Sequence, residues 1–302
     1  MIGSHLSDFL IKRGYRVVIL TRDKGKVSAN PAITYSYWNV KENIIDPEVV
    51  RNADHIVHLA GAGVMDKKWT NDYKTIILES RTKSAELIIN CLKENDHHVK
   101  TFVSASAIGW YGEDGRPSMK KEGFIESDPP SDDFLGKTCL LWEEASSPVK
   151  ALGIRLVRLR TGIVLAPKGG AIESYKTPLK FGIAPILGNG RQMVSWIHIE
   201  DLCRMYAEAL ENSDLNGSYN AVASETVTQK DLILELGQKM RNKFFIPVYV
   251  PAFGLKLVFG QRSVEILKSA TVSNKKIKAT GFTFLFPSLE SAIDKLVQDM
   301  RK

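Results

Sequence analysis

The amino-acid sequence predicts an α/β protein built on a doubly wound parallel sheet, with a small α+β part towards the carboxyl terminus. Over the first half of the chain, β-branched apolar runs typical of strands buried on both faces alternate with amphipathic helical segments. The 302 residues correspond to about two domains, and 44% hydrophobic and 25% charged residues are typical of an ordinary globular protein. Disordered, collagen-like and coiled-coil classes are therefore excluded.

The chain is predicted to open on a helix. Ile2, Leu6 and Phe9 recur at helical spacing, and Gly14 follows where a left-handed cap belongs. The run Tyr15–Leu20 predicts a strand buried on both faces. Strands and helices then alternate, as expected for βαβ units, at His55–Ala60, Asn71–Leu92, Lys100–Ser104, Asp132–Leu152 and Ile154–Arg160.

The pattern changes after Thr161, where Gly- and Pro-rich segments predict loops that leave the sheet. Beyond these loops we expect short strands and further helices. The predicted strands are Val194–Ile197, Gly217–Val222 and Pro247–Val250, and the predicted helices are Ile199–Glu211 and Ser288–Met300.

Composition also limits the partners and the compartment. No apolar run approaches the roughly 20 residues of a membrane helix and no leader is recognisable, so we expect a cytoplasmic protein with no membrane partner. Three cysteines without a C-x-x-C pair predict reduced thiols and no metal site. The net charge of +7 is concentrated in residues 239–280, which hold nine Lys or Arg and one acid, Glu265. Without interleaved aromatic residues, we expect a solvated face there and no nucleic-acid partner.

Two positions point to a dinucleotide. A dinucleotide-binding unit needs glycines at a tight turn and a helix whose first amides hold the pyrophosphate, and Gly3 stands at the corresponding helix start. A carboxylate after the second strand of such a unit binds a ribose 2′-hydroxyl, whereas an arginine there pairs with a 2′-phosphate. Arg22 follows the strand here, which favours NADP over NAD, although the adjacent Asp23 weakens the distinction.

Several longer motifs resemble a known superfamily. His58-Leu-Ala-Gly61-Ala-Gly63, Ser104-Ala-Ser-Ala-Ile-Gly-Trp-Tyr-Gly112 and the segment 188–201 are similar to the extended short-chain dehydrogenases/reductases. A second group of motifs resembles their atypical branch, the NAD-dependent epimerase/dehydratase family with its own C-terminal domain. These are Trp69 with Lys74 and Ser80-Arg81, Phe134–Cys139 with Trp142-Glu143, Arg158–Val164, and Val250–Leu255 with Gly281-Phe and Phe286-Pro.

The resemblance implies a Rossmann-like, NADP(H)-binding domain at residues 1–165 and 192–222, and a substrate or C-terminal domain at residues 166–191 and 223–302. It implies a first strand and a Gly-rich loop of which only residues 1–3 remain, so a central strand of the sheet is expected to be missing. A small-molecule substrate is implied, and a homo-oligomer is compatible with the family. The implied cofactor contacts are Gly3, Arg22, Leu59, Ala60, Gly61, Ser104, Lys137 and Gly162.

The resemblance also implies a catalytic set, with one departure. Ser106 has the position of the serine that orients the substrate oxygen, and Lys137 that of the lysine in Tyr-x-x-x-Lys. Four residues before Lys137 stands Asp133, which is ionised at neutral pH and a poor general acid unless burial raises its pKa. Tyr111, in the loop after the strand that carries Ser106, is a candidate replacement, and Asp133 is expected to cap its helix.

The substrate side departs from the sugar-nucleotide enzymes of the superfamily. Their diphosphate-binding arginine corresponds to Val194 here, while Gln192 and His198 remain as candidate substrate contacts. We therefore expect an NADP(H)-dependent oxidoreductase or epimerase-like enzyme acting on a small carbonyl or hydroxyl compound. A non-catalytic NADP(H)-binding protein and a nucleotide-sugar epimerase are the two alternatives.

Overall fold

The computed structural model describes residues 1–242 and 244–301. The strands are β1 Val17–Thr21, β2 Ile33–Asn39, β3 Ile44–Ile45, β4 His55–His58, β5 Thr101–Ala107, β6 Arg155–Thr161, β7 Ile163–Leu165, β8 Ile183–Leu187, β9 Met193–Val194, β10 Trp196–His198, β11 Gly217–Ala221, β12 Val227–Thr228 and β13 Ile246–Val250. The α-helices are α1 Ile2–Lys12, α2 Pro47–Arg51, α3 Asn71–Glu94, α4 Phe134–Ser146, α5 Gly170–Lys180, α6 Ile199–Glu211, α7 Gln229–Arg241, α8 Ala252–Phe259, α9 Ser263–Leu267, α10 Lys275–Lys278 and α11 Leu289–Met300.

Two sheets carry the first part of the chain. Four parallel strands lie in the order β11-β6-β5-β4, and a second sheet has the order β1-β2-β3 with β1 and β2 parallel. Within the described ranges no ladder joins β1 to β4. The expectation that a central strand of the sheet is missing stays a prediction.

Helices cover both faces of the four-stranded sheet, as expected for a doubly wound fold. Successive residues of β5 point to opposite faces, because side chains alternate along a strand. Phe102 packs in a buried cluster with Ile88 and Leu92 of α3, whereas Val103 packs in another cluster with α1 and α6. The predicted α/β doubly wound class is confirmed, with Rossmann-fold structures as its neighbours.

Three predicted elements differ in detail. The helix expected over Asp132–Leu152 ends at Ser146 and continues as a 3-10 segment, because Pro148 cannot donate to an earlier carbonyl. The strand expected at Val194–Ile197 is broken at Ser195 into β9 and β10, which pair with different strands. Val18 in β1 is 48% exposed, so this strand is not buried on both faces.

The later part of the chain builds its own core and also joins the first. β8 and β13 pair in parallel, and Trp196 packs with residues of α5, α7 and α11. Ile277 and Phe282, however, pack into the cluster that contains α1 and α6. The predicted domain boundaries stay a prediction, but the packing joins the two parts through these residues.

Some cations of the basic segment 239–280 form ion pairs within the molecule, whereas Arg241, Lys256, Lys276 and Lys278 are exposed. Lys239 pairs with Glu290 and Asp294, and Lys268 pairs with Asp133 and Glu265. Lys243 lies outside the described residues. No helix in the described part of the chain has both the length and the apolar character needed to cross a membrane.

Candidate functional site

Most of the predicted cofactor residues lie at the carboxyl ends of adjacent parallel strands. Leu59–Gly61 follow β4, Ser104 and Ser106 lie in the last half of β5, and Gly162 follows β6, whereas Arg22 follows β1 of the second sheet. In open α/β sheets, ligands bind outside the carboxyl ends of the strands. These residues therefore lie at the edge where a dinucleotide is expected.

The first turn of α1 contacts this edge. A Cβ built on Gly3 would lie 3.8 Å from Leu59 Cδ1, so the helix start lies directly beside the segment after β4. The first turn of α1 has no side-chain cap and no acidic residue. Its positive end is therefore not neutralised by its own side chains, which suits an anionic ligand.

The loop that follows Gly61 is held by side chains from two sides. Ser80 accepts a hydrogen bond from the Ala62 amide at 2.9 Å, and the Tyr73 hydroxyl donates to the Gly63 carbonyl at 2.7 Å. Arg262, from the later part of the chain, donates to the Met65 carbonyl at 2.5 Å. This loop is therefore a defined wall of the site.

Ser106 belongs to a buried polar network. Its hydroxyl donates to Glu143 Oε1 of α4 at 2.8 Å, and Arg160 of β6 donates to the same carboxylate at 2.8 and 3.0 Å. The Glu143 and Arg160 side chains are 8% and 3% exposed. Because its proton is donated to a buried ion pair, Ser106 can offer a ligand only its lone pairs.

Tyr111 belongs to the same network and is fully buried. Its hydroxyl donates to Asn220 Oδ1 at 2.6 Å and accepts from Arg160 at 3.1 Å, and its ring stacks on Phe124. Burial raises the pKa of Tyr111. These contacts are those of a packing residue, and they do not support the catalytic role that the sequence suggested.

Asp133 and Lys137 have different environments on α4. Asp133 is the N-cap and accepts from the Gly136 amide at 2.8 Å and from Lys268 at 3.0 Å. Burial opposes ionisation of Asp133, but the hydrogen bonds from Gly136 and Lys268 lower its pKa overall. The expected capping role is confirmed. Lys137, one turn later, is exposed, and its ammonium remains available to a ligand.

A later segment crosses the loops at this edge, and we call residues 262–272 the strap. Besides Arg262 on Met65 and Lys268 on Asp133, Asp114 accepts from Ser269 Oγ at 2.8 Å and from the Thr271 amide at 2.7 Å. The strap therefore holds the loops after β4 and β5 and the start of α4 in one arrangement.

Three other predicted site residues have contacts within the protein. Gln192 donates to the Leu187 carbonyl at 3.1 Å and is 7% exposed. His198 is the N-cap of α6, accepts from the Glu200 amide, and is 1% exposed; burial lowers its pKa to about 4. A Cβ on Gly162 would lie 2.5 Å from the Ser195 carbonyl oxygen, so this glycine permits close strand packing. Substrate contacts by Gln192 and His198 find no support in this geometry.

Several charged residues of the site were not assigned from the sequence. Glu143 and Arg160 anchor Ser106, and Arg81 lies against Gly61. The sequence held a signal for Arg160. Arg158 and Arg160 are two residues apart on a strand with the apolar residues Leu156, Val157 and Leu159, so their side chains point to the same face. A buried arginine needs a carboxylate or carbonyl partner.

Comparisons with known proteins bear on this site. Residues 1–222 match the model of the NAD dependent epimerase/dehydratase family, and residues 250–296 match a domain of unknown function, DUF1731. The Epimerase family protein YfhF of Bacillus subtilis (strain 168) is 31% identical over 300 residues, covering 99% of this chain and 96% of the relative. SH2119 of Staphylococcus haemolyticus, also an epimerase family protein, is 32% identical over 297 residues, covering 98% of this chain and 96% of the relative.

Solved structures share the whole fold. Human epimerase family protein SDR39U1, isoform 2, determined with NADPH, superposes with a TM-score of 0.85 at 26% identity, covering 99% of this chain and 96% of that chain. UDP-glucose 4-epimerase of Thermotoga maritima, determined with UDP-glucose, has a TM-score of 0.80 at 19% identity, covering 100% and 96%. The second likeness is one of fold alone.

Proposed function

Because the chain belongs to the NAD dependent epimerase/dehydratase family, we propose that it binds NADP(H) at the carboxyl edge of the sheet and oxidises or reduces a small hydroxyl or carbonyl compound. The bound cofactor supplies or accepts the hydride. The similar human protein was solved with NADPH, which supports the choice of NADP over NAD.

The exposure of Arg22 and its lack of partners among the described residues are the main support for NADP over NAD. The Arg22 guanidinium is exposed directly after β1 and has no hydrogen bond or ion pair to any described residue. The neighbouring carboxylate, Asp23, accepts from the Gly25 amide at 3.0 Å and so closes a turn. Arg22 is thus free to pair with a 2′-phosphate, while Asp23 is already used by the backbone.

Other residues fit the remaining parts of the ligands. The uncapped first turn of α1 at Gly3 and the segment Leu59–Gly61 suit the pyrophosphate and its riboses. Lys137, exposed on α4, suits the nicotinamide ribose. Ser106, whose proton is donated to Glu143, suits a substrate hydroxyl as a hydrogen-bond acceptor.

The cofactor choice is tested by titrating NADPH and NADH into the full chain and into Arg22→Ala. Loss of a charge-assisted phosphate contact costs about 1.5–3 kcal/mol, which is on the order of tenfold or more in affinity. We expect that loss for NADPH and no change for NADH. Arg16→Ala removes an exposed arginine just before β1, at its opposite end, and should change neither affinity. Equal losses for both cofactors would contradict the proposal.

A non-catalytic NADP(H)-binding protein is the second candidate. It is favoured by Asp133, a helix cap with a lowered pKa at the position where relatives of the superfamily have the proton-donating tyrosine. NADPH oxidation with a panel of aldehydes and ketones separates the candidates. Turnover supports the enzyme, and tight NADPH binding without any turnover supports the binding protein.

A further inference from the structure

Arg81 is a cation at the site that the proposed function does not use. It lies on α3, and its guanidinium carbon lies 4.9 Å from the ring centroid of Trp142. A Cβ built on Gly61 would lie 3.0 Å from the same carbon. The guanidinium therefore packs directly against the Gly61 backbone at the carboxyl end of β4, and a side chain at position 61 would displace it.

The hydrogen-bonding capacity of Arg81 is mostly unused. Nη1 donates to the Ile77 carbonyl at 2.7 Å, and within residues 1–242 and 244–301 no carboxylate pairs with the guanidinium. An arginine has five N–H donors, so most of them remain without an acceptor in the protein. Burial lowers the pKa of Arg81, and no carboxylate pairs with it to offset that desolvation.

Other partly buried arginines of this chain have more hydrogen-bond acceptors within the protein than Arg81 has. Arg160 has a carboxylate, a hydroxyl and a carbonyl as acceptors, and Arg155 donates to three carbonyls and a hydroxyl. The free nitrogens of Arg81 are not among the buried, unpartnered side-chain atoms of the described residues, so solvent or a ligand can reach them. Arg81 therefore differs from these arginines in having free donors that a ligand can use.

We propose that Arg81 binds an anionic oxygen of the ligand, a phosphate or a carboxylate, beside Gly61. The planar guanidinium matches both groups through paired N–H donors. The proposal rests on the proposed function, because it concerns the same edge of the sheet. The anion belongs either to the phosphates of the cofactor or to an acidic substrate, and binding experiments distinguish these sources.

The first arm measures NADPH affinity and ligand-free melting temperature for the full chain, Arg81→Met and Arg81→Lys. Lys83→Met is the matched control, since it removes an exposed cation from the same helix. If the cofactor supplies the anion, Arg81→Met binds NADPH about tenfold or more weakly, Arg81→Lys lies between, and the control is unchanged. Without ligand, Arg81→Met should melt at the same or a higher temperature, because it removes a partly buried charge that has no carboxylate partner.

The second arm titrates the NADPH-saturated protein with inorganic phosphate and with oxalate. If the substrate supplies the anion, wild type and Lys83→Met bind one of these probes and Arg81→Met does not, while NADPH affinity is equal in all three. Unchanged binding in both arms would overturn the proposal. The proposal would also be overturned if Arg81→Met failed to fold, or if it melted at a lower temperature and bound the ligands as wild type does. Either result would indicate that Arg81 has a structural role. Failure of wild type to bind NADPH would refute the proposed function instead.

Discussion

Asp133 and Lys137 lie one helical turn apart on α4, and their surroundings separate their roles. The carboxylate of Asp133 already accepts the Gly136 amide and the Lys268 ammonium, which keeps its pKa low. The Lys137 ammonium is exposed on the same helix. The sequence predicted that Asp133 caps its helix and that the tyrosine expected four residues before Lys137 is absent. Only the tertiary contact with Lys268 shows that the Asp133 carboxylate is stabilised in its ionised form.

Lys137→Met and Asp133→Asn should therefore differ in NADPH affinity. If Lys137 contacts the nicotinamide ribose as proposed, removing this charge-assisted contact costs about 1.5–3 kcal/mol, so Lys137→Met should bind NADPH about tenfold or more weakly. Asparagine caps a helix about as well as aspartate, so Asp133→Asn should bind nearly as wild type. Calorimetric titration of both variants, with circular dichroism as the folding control, measures this. Abolished binding in Asp133→Asn alone would reverse the assignment.

At the scale of elements, the periodicity of apolar residues predicts individual helices and strands, but it does not predict contacts between residues that are distant in the sequence. The helix Asn71–Glu94 and the strand Val17–Thr21 lie within two residues of their predicted positions, because the spacing of apolar residues along each segment indicates its secondary structure. The split at Ser195 was missed because its cause is distant: Ser195 donates to the Ala270 carbonyl and accepts the Val272 amide. The partner that buries Tyr111 is distant in the same way, since Asn220 lies far along the sequence.

The strap gives a prediction at this scale, through Asp114→Ala. The change leaves the Thr271 amide and the Ser269 and Thr271 hydroxyls without their acceptor. These groups are partly buried, and a hydrogen bond to a charged acceptor contributes about 1.5–3 kcal/mol, so we expect a loss of about that size in the free energy of unfolding. Urea unfolding measures it, with the exposed Asp132→Ala as control. A loss no larger than the control's would mean that Asp114 does not hold the strap.

At the scale of the whole molecule, the two parts of the chain share a core. Ile277 is fully buried among residues of α1 and α6, and Phe282 joins it there. The motifs at both ends indicated two parts, and packing determines how they are joined. The sequence could not show that a short segment near its end packs into the core of the first part, because no periodicity describes an isolated buried residue.

Ile277→Ala should therefore destabilise the whole molecule in a single transition. The cavity costs about 2–5 kcal/mol, and the smaller deletion in Ile277→Val costs about 0.5–1.5 kcal/mol. Urea unfolding followed by tryptophan fluorescence and by far-ultraviolet circular dichroism should give coincident curves that shift together. Two separated transitions, with only one of them shifted, would show that the parts unfold independently.

The strap also has a consequence for how the protein is made. Residues 262–272 hold the loops after β4 and β5, yet a ribosome synthesises them long after those loops have emerged. A nascent chain can form its parallel sheet early, because the sheet strands all precede residue 222. The loops after β4 and β5 acquire their final geometry only after residues 262–272 have left the ribosome, so maturation of this edge follows synthesis of the strap and not formation of the sheet.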